Sequence, residues 1–229
     1  MSNDKIAAVI LAAGASSRMD GVKKEYQKLP SGITVLETAI RTFSSVASVD
    51  IICIAACETT EAQDAITPEC RELLKSRIVF TDGGATRCAS ALNALRALSR
   101  FNPGYVLIHD GARPFVSIQM IENIITAVRE YGAVIPLLPL SDTPKECEAS
   151  EKEQIMFIKS HLKRMNVGIA QTPQAFKYSE ILRAHEMAAS TEDEEFTDDA
   201  EVWGRFAGNV AVIPGDPANR KITFKEDLT

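Results

Sequence analysis

The sequence predicts an α/β fold: a doubly wound, mostly parallel sheet with a protruding β-arm. Three observations predict it. Apolar runs of strand length alternate with segments whose apolar residues recur at helical spacing, which gives parallel βαβ units. Gly14, Asp82-Gly83-Gly84 and Asp110-Gly111-Ala112-Arg113 each follow an apolar run directly. They should therefore share one rim, beyond the carboxyl ends of the strands, where such sheets bind ligands. Finally, the alternation stops after Leu140, and residues 141–166 are too polar to build a core.

The elements follow in order. Ile6–Leu11 reads as a buried strand, and Val35–Val46 as a helix with Val35, Leu36, Ala39, Ile40 and Phe43 on one face. Asp50–Ala56 is the second strand. A helical stretch ends at Arg71–Leu74, and Arg77–Thr81 is a short third strand. Ala89–Leu98 is a helix whose apolar side carries Leu92, Leu95, Ala97 and Leu98. Tyr105–His109 is a strand, Ile118–Glu130 a helix and Ala133–Leu137 a strand. Within 141–166, Ile155-Met156-Phe157-Ile158 is strand-like. A two-stranded arm reaching onto another subunit fits this excursion, as does a disordered insertion. Order returns at Gln171–Phe176, followed by a helix from Tyr178 to about Ala189. Thr197-Asp198-Asp199-Ala200 caps a short helix toward Trp203. Val210–Ile213 is a strand, and Ile222–Leu228 begins a last element.

The 229 residues are 45% hydrophobic and 24% charged, which suits one α/β domain with a full core. A net charge of −6 argues against a general nucleic-acid binder, yet leaves room for a local basic cluster around a small anion. Five cysteines without a Cys-x-x-Cys pair read as free thiols in a reducing compartment. The three histidines lack zinc-ligand spacing. The apolar run after the charged N-terminus is too short for a membrane span or signal peptide, so a cytoplasmic location is expected.

The chemistry concentrates at the first rim. Leu11-Ala12-Ala13-Gly14 is followed by Arg18-Met19 and Lys23-Lys24. Small residues let backbone N–H groups approach anionic oxygens, and the cations meet phosphate charge. Neither a P-loop nor a Gly-x-Gly-x-x-Gly fingerprint is present. A nucleoside triphosphate site is the reading with chemical content; a small turn with solvated cations is the plain one. Asp110 at a strand end suits a Mg²⁺ neighbour or a hydroxyl acceptor, and equally suits a turn before Gly111. Gly83-Gly84 allows close approach to a planar base, with Ser90 one helical turn away, or forms a hairpin-like turn.

These motifs together are similar to those of the 2-C-methyl-D-erythritol 4-phosphate cytidylyltransferases of non-mevalonate isoprenoid synthesis. The resemblance rests on Ala12-Ala13-Gly14 to Arg18-Met19, Lys24, Gly83-Gly84 with Arg87 and Ser90, and His109 to Pro114. It continues through Asp142-Thr143, Arg164, Gln171-Thr172-Pro173-Gln174, Thr197 to Ala200, and Gly215 to Thr223. It implies a single Rossmann-like nucleotidyltransferase domain over 1–229, with 141–166 as a dimerisation arm. It also implies transfer of the cytidylyl group of CTP to 2-C-methyl-D-erythritol 4-phosphate, giving 4-diphosphocytidyl-2-C-methyl-D-erythritol and pyrophosphate. By the same resemblance the catalytic residues are Arg18, Lys24, Arg164 and Lys221. The nucleotide lies near Ala12, Ala13, Gly14, Gly84, Ser90 and Asp110. Arg113, Thr143, Thr172 and Thr197 line the polyol phosphate pocket, and Mg²⁺ is held mainly by the CTP phosphates beside Asp110. Ser16, Pro144 and Arg220 depart from the family pattern without removing a charge the chemistry needs. A cytidylyltransferase for another polyol phosphate, such as ribitol 5-phosphate, shares much of the pattern. A non-catalytic nucleotide-binding regulator on the same fold is disfavoured by the joint presence of Arg18, Lys24 and Lys221.

Overall fold

Seven consecutive apolar residues, Ile6–Ala12, form β1, and all seven are buried. Burial on both faces is what a central strand of a doubly wound sheet requires. The computed structural model describes residues 4–14, 19, 21–74, 77–149, 155–191 and 195–228. β1 pairs in parallel with β2 (Val49–Ala56) on one side and β4 (Tyr105–Asp110) on the other. β3 (Ile78–Asp82) extends the sheet beyond β2. On the opposite flank β9 (Gln174–Lys177) lies between β4 and β5 (Ala133–Pro139), and β10 (Ala211–Pro214) closes the edge. β9 is antiparallel to both neighbours, and β8 (Gly168–Ala170) is antiparallel to β5. The sheet is thus mostly parallel with two antiparallel insertions.

The period-two alternation of a strand sorts β1 into two cores. Ile6, Ala8, Ile10 and Ala12 pack with Leu36, Ile40 and Phe43 of α1 (Val35–Ser44) and Ile121 and Ile124 of α5 (Ile118–Tyr131). Ala7, Val9 and Leu11 pack with Leu95 and Leu98 of α4 (Arg87–Leu98), Ile181 of α6 (Tyr178–Ala188) and Trp203 of α7 (Asp199–Phe206). The helices start where side chains can cap them. Thr34, Thr86, Ser117 and Asp198 accept from backbone N–H groups three residues on, at the heads of α1, α4, α5 and α7. α5 ends on Gly132, whose φ of +80° is the left-handed conformation that favours glycine.

The helical stretch expected before Leu74 is split into α2 (Thr59–Asp64) and α3 (Pro68–Leu74). A proline is well placed at the first turn of a helix but not inside one. The polar excursion is indeed two-stranded. β6 (Lys145–Ala149) and β7 (Met156–His161) form their own antiparallel sheet, separate from the main one. Met156, Phe157 and Ile158 are each more than half exposed there. The segment after Ile222 forms a single 3-10 turn, Lys225–Leu228.

Candidate active site

The three glycine loops meet at the carboxyl edge of the sheet because their strands are parallel neighbours. The loops are tied back to those strands: Gly83 N–H donates to Ala56 O at 2.7 Å, and Gly111 N–H to Leu11 O at 2.8 Å. Between them opens a cleft of about 470 Å³. Ala13 and Gly14 form one wall and Gly84, Thr86 and Ser90 another; Lys24, Asp110, Arg87 and Lys221 close it. Ser90 is buried and works on the loop. Its hydroxyl accepts from Gly84 N–H at 3.0 Å and donates to Thr86 O at 2.9 Å.

Gly83 has no room for a side chain. A Cβ there would collide with Ala13 Cβ and lie 3.3 Å from Ser90 Oγ. Gly83→Ala should therefore push apart two walls of the cleft. Strain of this kind costs about 1–3 kcal/mol, so the affinity for any ligand held between those walls is expected to fall on the order of tenfold. Titration calorimetry with nucleoside triphosphates checks this, and an unchanged affinity for one that binds would contradict it.

Asp110 is the electrostatic hub. Lys221 Nζ lies 2.7 Å from its Oδ2, Arg87 Nε 3.3 Å from Oδ1, and Arg113 Nε 3.9 Å from Oδ2. Burial opposes its charge, yet Arg87, Lys221 and Arg113 hold the Asp110 carboxyl well below the usual carboxylate range. Lys221 is presented by its neighbour: Ile222 is fully buried and its N–H donates to Ala112 O at 2.8 Å. Arg87 spans two carboxylates, since its Nη2 also donates to Asp199 Oδ2 at 2.8 Å. Glu25 lines the same cleft from a 3-10 turn, Lys24–Tyr26. Its Oε2 is buried without a hydrogen-bond partner, and burial, with Asp110 adding to it, raises this carboxyl.

Beneath Asp110 lies a neutral brace. Asp110 N–H donates to Thr172 Oγ1 at 3.0 Å, and Thr172 Oγ1 lies 3.1 Å from His109 Nδ1. His109 Nε2 is 3.0 Å from Arg113 O. A carbonyl only accepts, so Nε2 carries the proton and Nδ1 accepts from Thr172. Full burial pushes His109 down to about 4 and keeps the ring neutral.

The expected site residues therefore divide. Ala12, Ala13, Gly14, Lys24, Gly84, Ser90, Asp110 and Lys221 are brought together around the cleft or at the strand end that forms it. Arg18 lies outside the described residues. Thr172 and Arg113 are committed to protein contacts; Arg113 Nη1 donates to Asn219 O at 2.8 Å. Thr197 lines a neighbouring cavity and donates to Glu201 Oε2 at 2.8 Å. Thr143 and Arg164 do not line the cleft of their own chain. Arg164 Nη1 donates to Ser141 O at 2.6 Å at the base of the arm. The expected site set lacked Glu25, Thr86 and Arg87 of the cleft wall, and Asp199 behind it. Arg87 and Asp199 were visible as charges, but their pairing across 112 residues was not.

Among the described residues no three His, Cys, Asp or Glu side chains converge as a protein-built metal cage requires. The carboxylates on the cleft wall are Asp110, whose charge Lys221, Arg87 and Arg113 already meet, and Glu25, whose Oε2 has no hydrogen-bond partner.

Acid should loosen this cluster. Burial raises Asp199, but Arg87 and His185 outweigh it and bring the carboxyl to about 2. Its folded value lies below its unfolded one, so its stabilisation is complete above about pH 4 and is lost as pH falls toward 2. About 2 kcal/mol is at stake. Urea unfolding midpoints should fall between pH 4 and pH 2, and a flat profile would contradict the assignment.

The sequence from residue 6 to 229 matches the family model described as IspD: 2-C-methyl-D-erythritol 4-phosphate cytidylyltransferase. The chain belongs to this family. A bifunctional enzyme IspD/IspF of Bartonella tribocorum is 36% identical over 226 residues, covering 97% of this chain and 54% of that protein. This chain thus spans about half the length of such bifunctional relatives. Among solved structures, the 4-diphosphocytidyl-2C-methyl-D-erythritol synthase of Anaerococcus prevotii is similar, with a TM-score of 0.80 and 30% identity over 97% of this chain and 92% of that one. The 2-C-methyl-D-erythritol 4-phosphate cytidylyltransferase of Thermus thermophilus has a TM-score of 0.74 at 29% identity, covering 96% of this chain and 94% of that one. The cytidylyltransferase family thus accounts for the sheet and for the motifs gathered on its rim. No helix among the described residues is long and apolar enough to cross a membrane.

Proposed function

We propose that this chain transfers the cytidylyl group of CTP to 2-C-methyl-D-erythritol 4-phosphate, releasing pyrophosphate, as a cytoplasmic enzyme. The observation that carries the reading is the convergence of Lys221, Arg87 and Arg113 on Asp110 in one cleft that Lys24 and a glycine wall also line. The base packs against Ala13, Gly84 and Ser90. Mg²⁺ neutralises phosphate charge when it accompanies the nucleotide, with Asp110 as the adjacent carboxylate. The polyol phosphate attacks the α-phosphorus in line. It is already ionised, so no residue has to remove a proton from it. Arg18 and Lys24 meet the charge growing on the α-phosphoryl oxygens, and Lys221 orients the attacking phosphate. Thr172 and Arg113 serve by holding Asp110 and the loop that carries Lys221. A pyrophosphate-release assay tests the reading: turnover is expected with CTP and methylerythritol phosphate. Equal turnover with UTP or ATP, or preference for ribitol 5-phosphate, would overturn it.

The arm gives the proposal its quaternary part. Thr143 and Arg164 sit at the arm's base, outside their own cleft, so they serve the site of a second copy in a two-fold homodimer. Mixing inactive Arg164→Ala and Lys24→Ala chains should restore activity, because one site of each mixed dimer is free of both lesions. Roughly a quarter of all sites would be intact after random exchange. Confirmed mixed dimers without recovery would place Arg164 in its own chain's site or in none.

A further inference from the structure

The proposed reaction uses no thiol and no general base, yet the structure holds a cysteine, a histidine and a carboxylate in line. Cys88 lies in the first turn of α4, just after Arg87. Its Sγ is 3.3 Å from His185 Nδ1 on α6. His185 Nε2 is 3.1 Å from Asp199 Oδ1 on α7. The side chains of His185 and Asp199 are fully buried, whereas Cys88 is half-buried and lines an open cavity of about 990 Å³. That cavity adjoins the nucleotide cleft through Ala85, Thr86 and Arg87, which line both. A base held by a third group and facing a sulfur is the arrangement that activates a nucleophile. The head of a helix adds the partial positive charge of its free N–H groups.

Burial works against a charged His185 ring, but the hydrogen bonds of Asp199 and Cys88 outweigh it and raise His185 to about 9. At neutral pH its Nδ1–H therefore points at the sulfur. The charged groups around the pair are Arg87 from α4 and Asp199 from α7, with Glu195 on the cavity wall. Glu186 of α6 is paired with Arg96, and Lys177 of β9 with Glu180. The other thiols lack this setting. Cys53 and Cys70 are buried, and burial pushes Cys53 up to about 12. Cys57 is exposed on the wall of the nucleotide cleft, where its Sγ donates to Ala13 O at 3.0 Å and accepts from Lys23 Nζ at 3.5 Å rather than facing a histidine, and Cys147 is exposed on the arm.

We propose that Cys88 is a modification site, an activated thiol that exchanges with small disulfides and thereby loosens Arg87 in the nucleotide cleft. The Cys88 sulfur attacks one sulfur of a disulfide R–S–S–R. A Cys88–S–S–R bond forms, the reagent's S–S bond breaks, and R–S⁻ leaves with the electron pair. The proton formerly shared with His185 stays on the ring. The added group occupies the cavity beside the first turn of α4 and competes there with Arg87 for its ties to Asp110 and Asp199. A thiol reductant reverses the exchange.

The test uses the whole protein and glutathione disulfide, with each cysteine quantified by peptide mass spectrometry. Cys88 is expected to react about ten times faster than Cys147 at pH 6.5, and His185→Gln should abolish that lead. Should that variant not fold, the wild type suffices. In the wild type Cys88 should be modified ahead of Cys57 and Cys147 alike. Cys88 reacting no faster than Cys57 or Cys147 would overturn the activation. The coupling rests on the CTP reading and is measured separately by calorimetric titration. Modified wild type should bind CTP about tenfold more weakly and recover with dithiothreitol, whereas treated Cys88→Ser should keep its affinity. Unchanged CTP binding after full Cys88 modification would overturn the coupling. Absence of CTP binding by the untreated protein would instead count against the proposed function.

Discussion

Lys24→Ala is expected to lower kcat about 100-fold or more while leaving the KM for CTP within a few fold. Lys24 sits on the cleft wall in a 3-10 turn whose backbone is fixed by its neighbours. Tyr26 N–H donates to Lys23 O and Gln27 N–H to Lys24 O, each at 3.2 Å. On the proposed reading this cation does little for the resting triphosphate, whose charge is spread along the chain. It acts when charge builds on the α-phosphoryl oxygens, so its loss falls on the chemical step. Steady-state kinetics with both substrates separates the two cases. A variant changed only in KM would move Lys24 from transition-state stabilisation to simple binding.

Arg87→Ala is expected to cost about 3–5 kcal/mol of stability, because it strands Asp199 and Asp110 without their shared counter-ion. Asp199 is fully buried. For a chain of this size that cost corresponds to a fall of roughly 10 °C in Tm, which differential scanning calorimetry reads directly. Arg87→Lys should recover only part of the loss, since one ammonium cannot span both carboxylates as the guanidinium fork does. A loss under about 1 kcal/mol for the alanine variant would mean that His185 and Lys221 suffice to hold the two acids.

The parallel half of the sheet was legible because its strands are buried on both faces and read as unbroken apolar runs, as in Ile6–Ala12. β9 was not. It has four residues and only Ala175 and Phe176 to mark it, and its place between β4 and β5 is a choice of partners rather than a local pattern. The cleft was legible wherever a glycine or a charge follows a strand, as at Gly14, Gly84 and Asp110. The bracing roles of Thr172 and Arg113 were not, because a hydroxyl or guanidinium in a loop does not announce whether it faces ligand or protein. The same holds for Cys88, whose neighbours His185 and Asp199 come from two later helices.

Lys221 reaches Asp110 across 111 residues of chain. The strands β1 to β5, and the glycine wall between them, are synthesised well before it. A single domain folds as a unit rather than from one end. β9, which joins β4 to β5, and the edge strand β10 also come late in the chain. The glycine wall and the lysine nearest Asp110 are therefore secured in one cooperative step, and pocket shape and reactive charge arrive together.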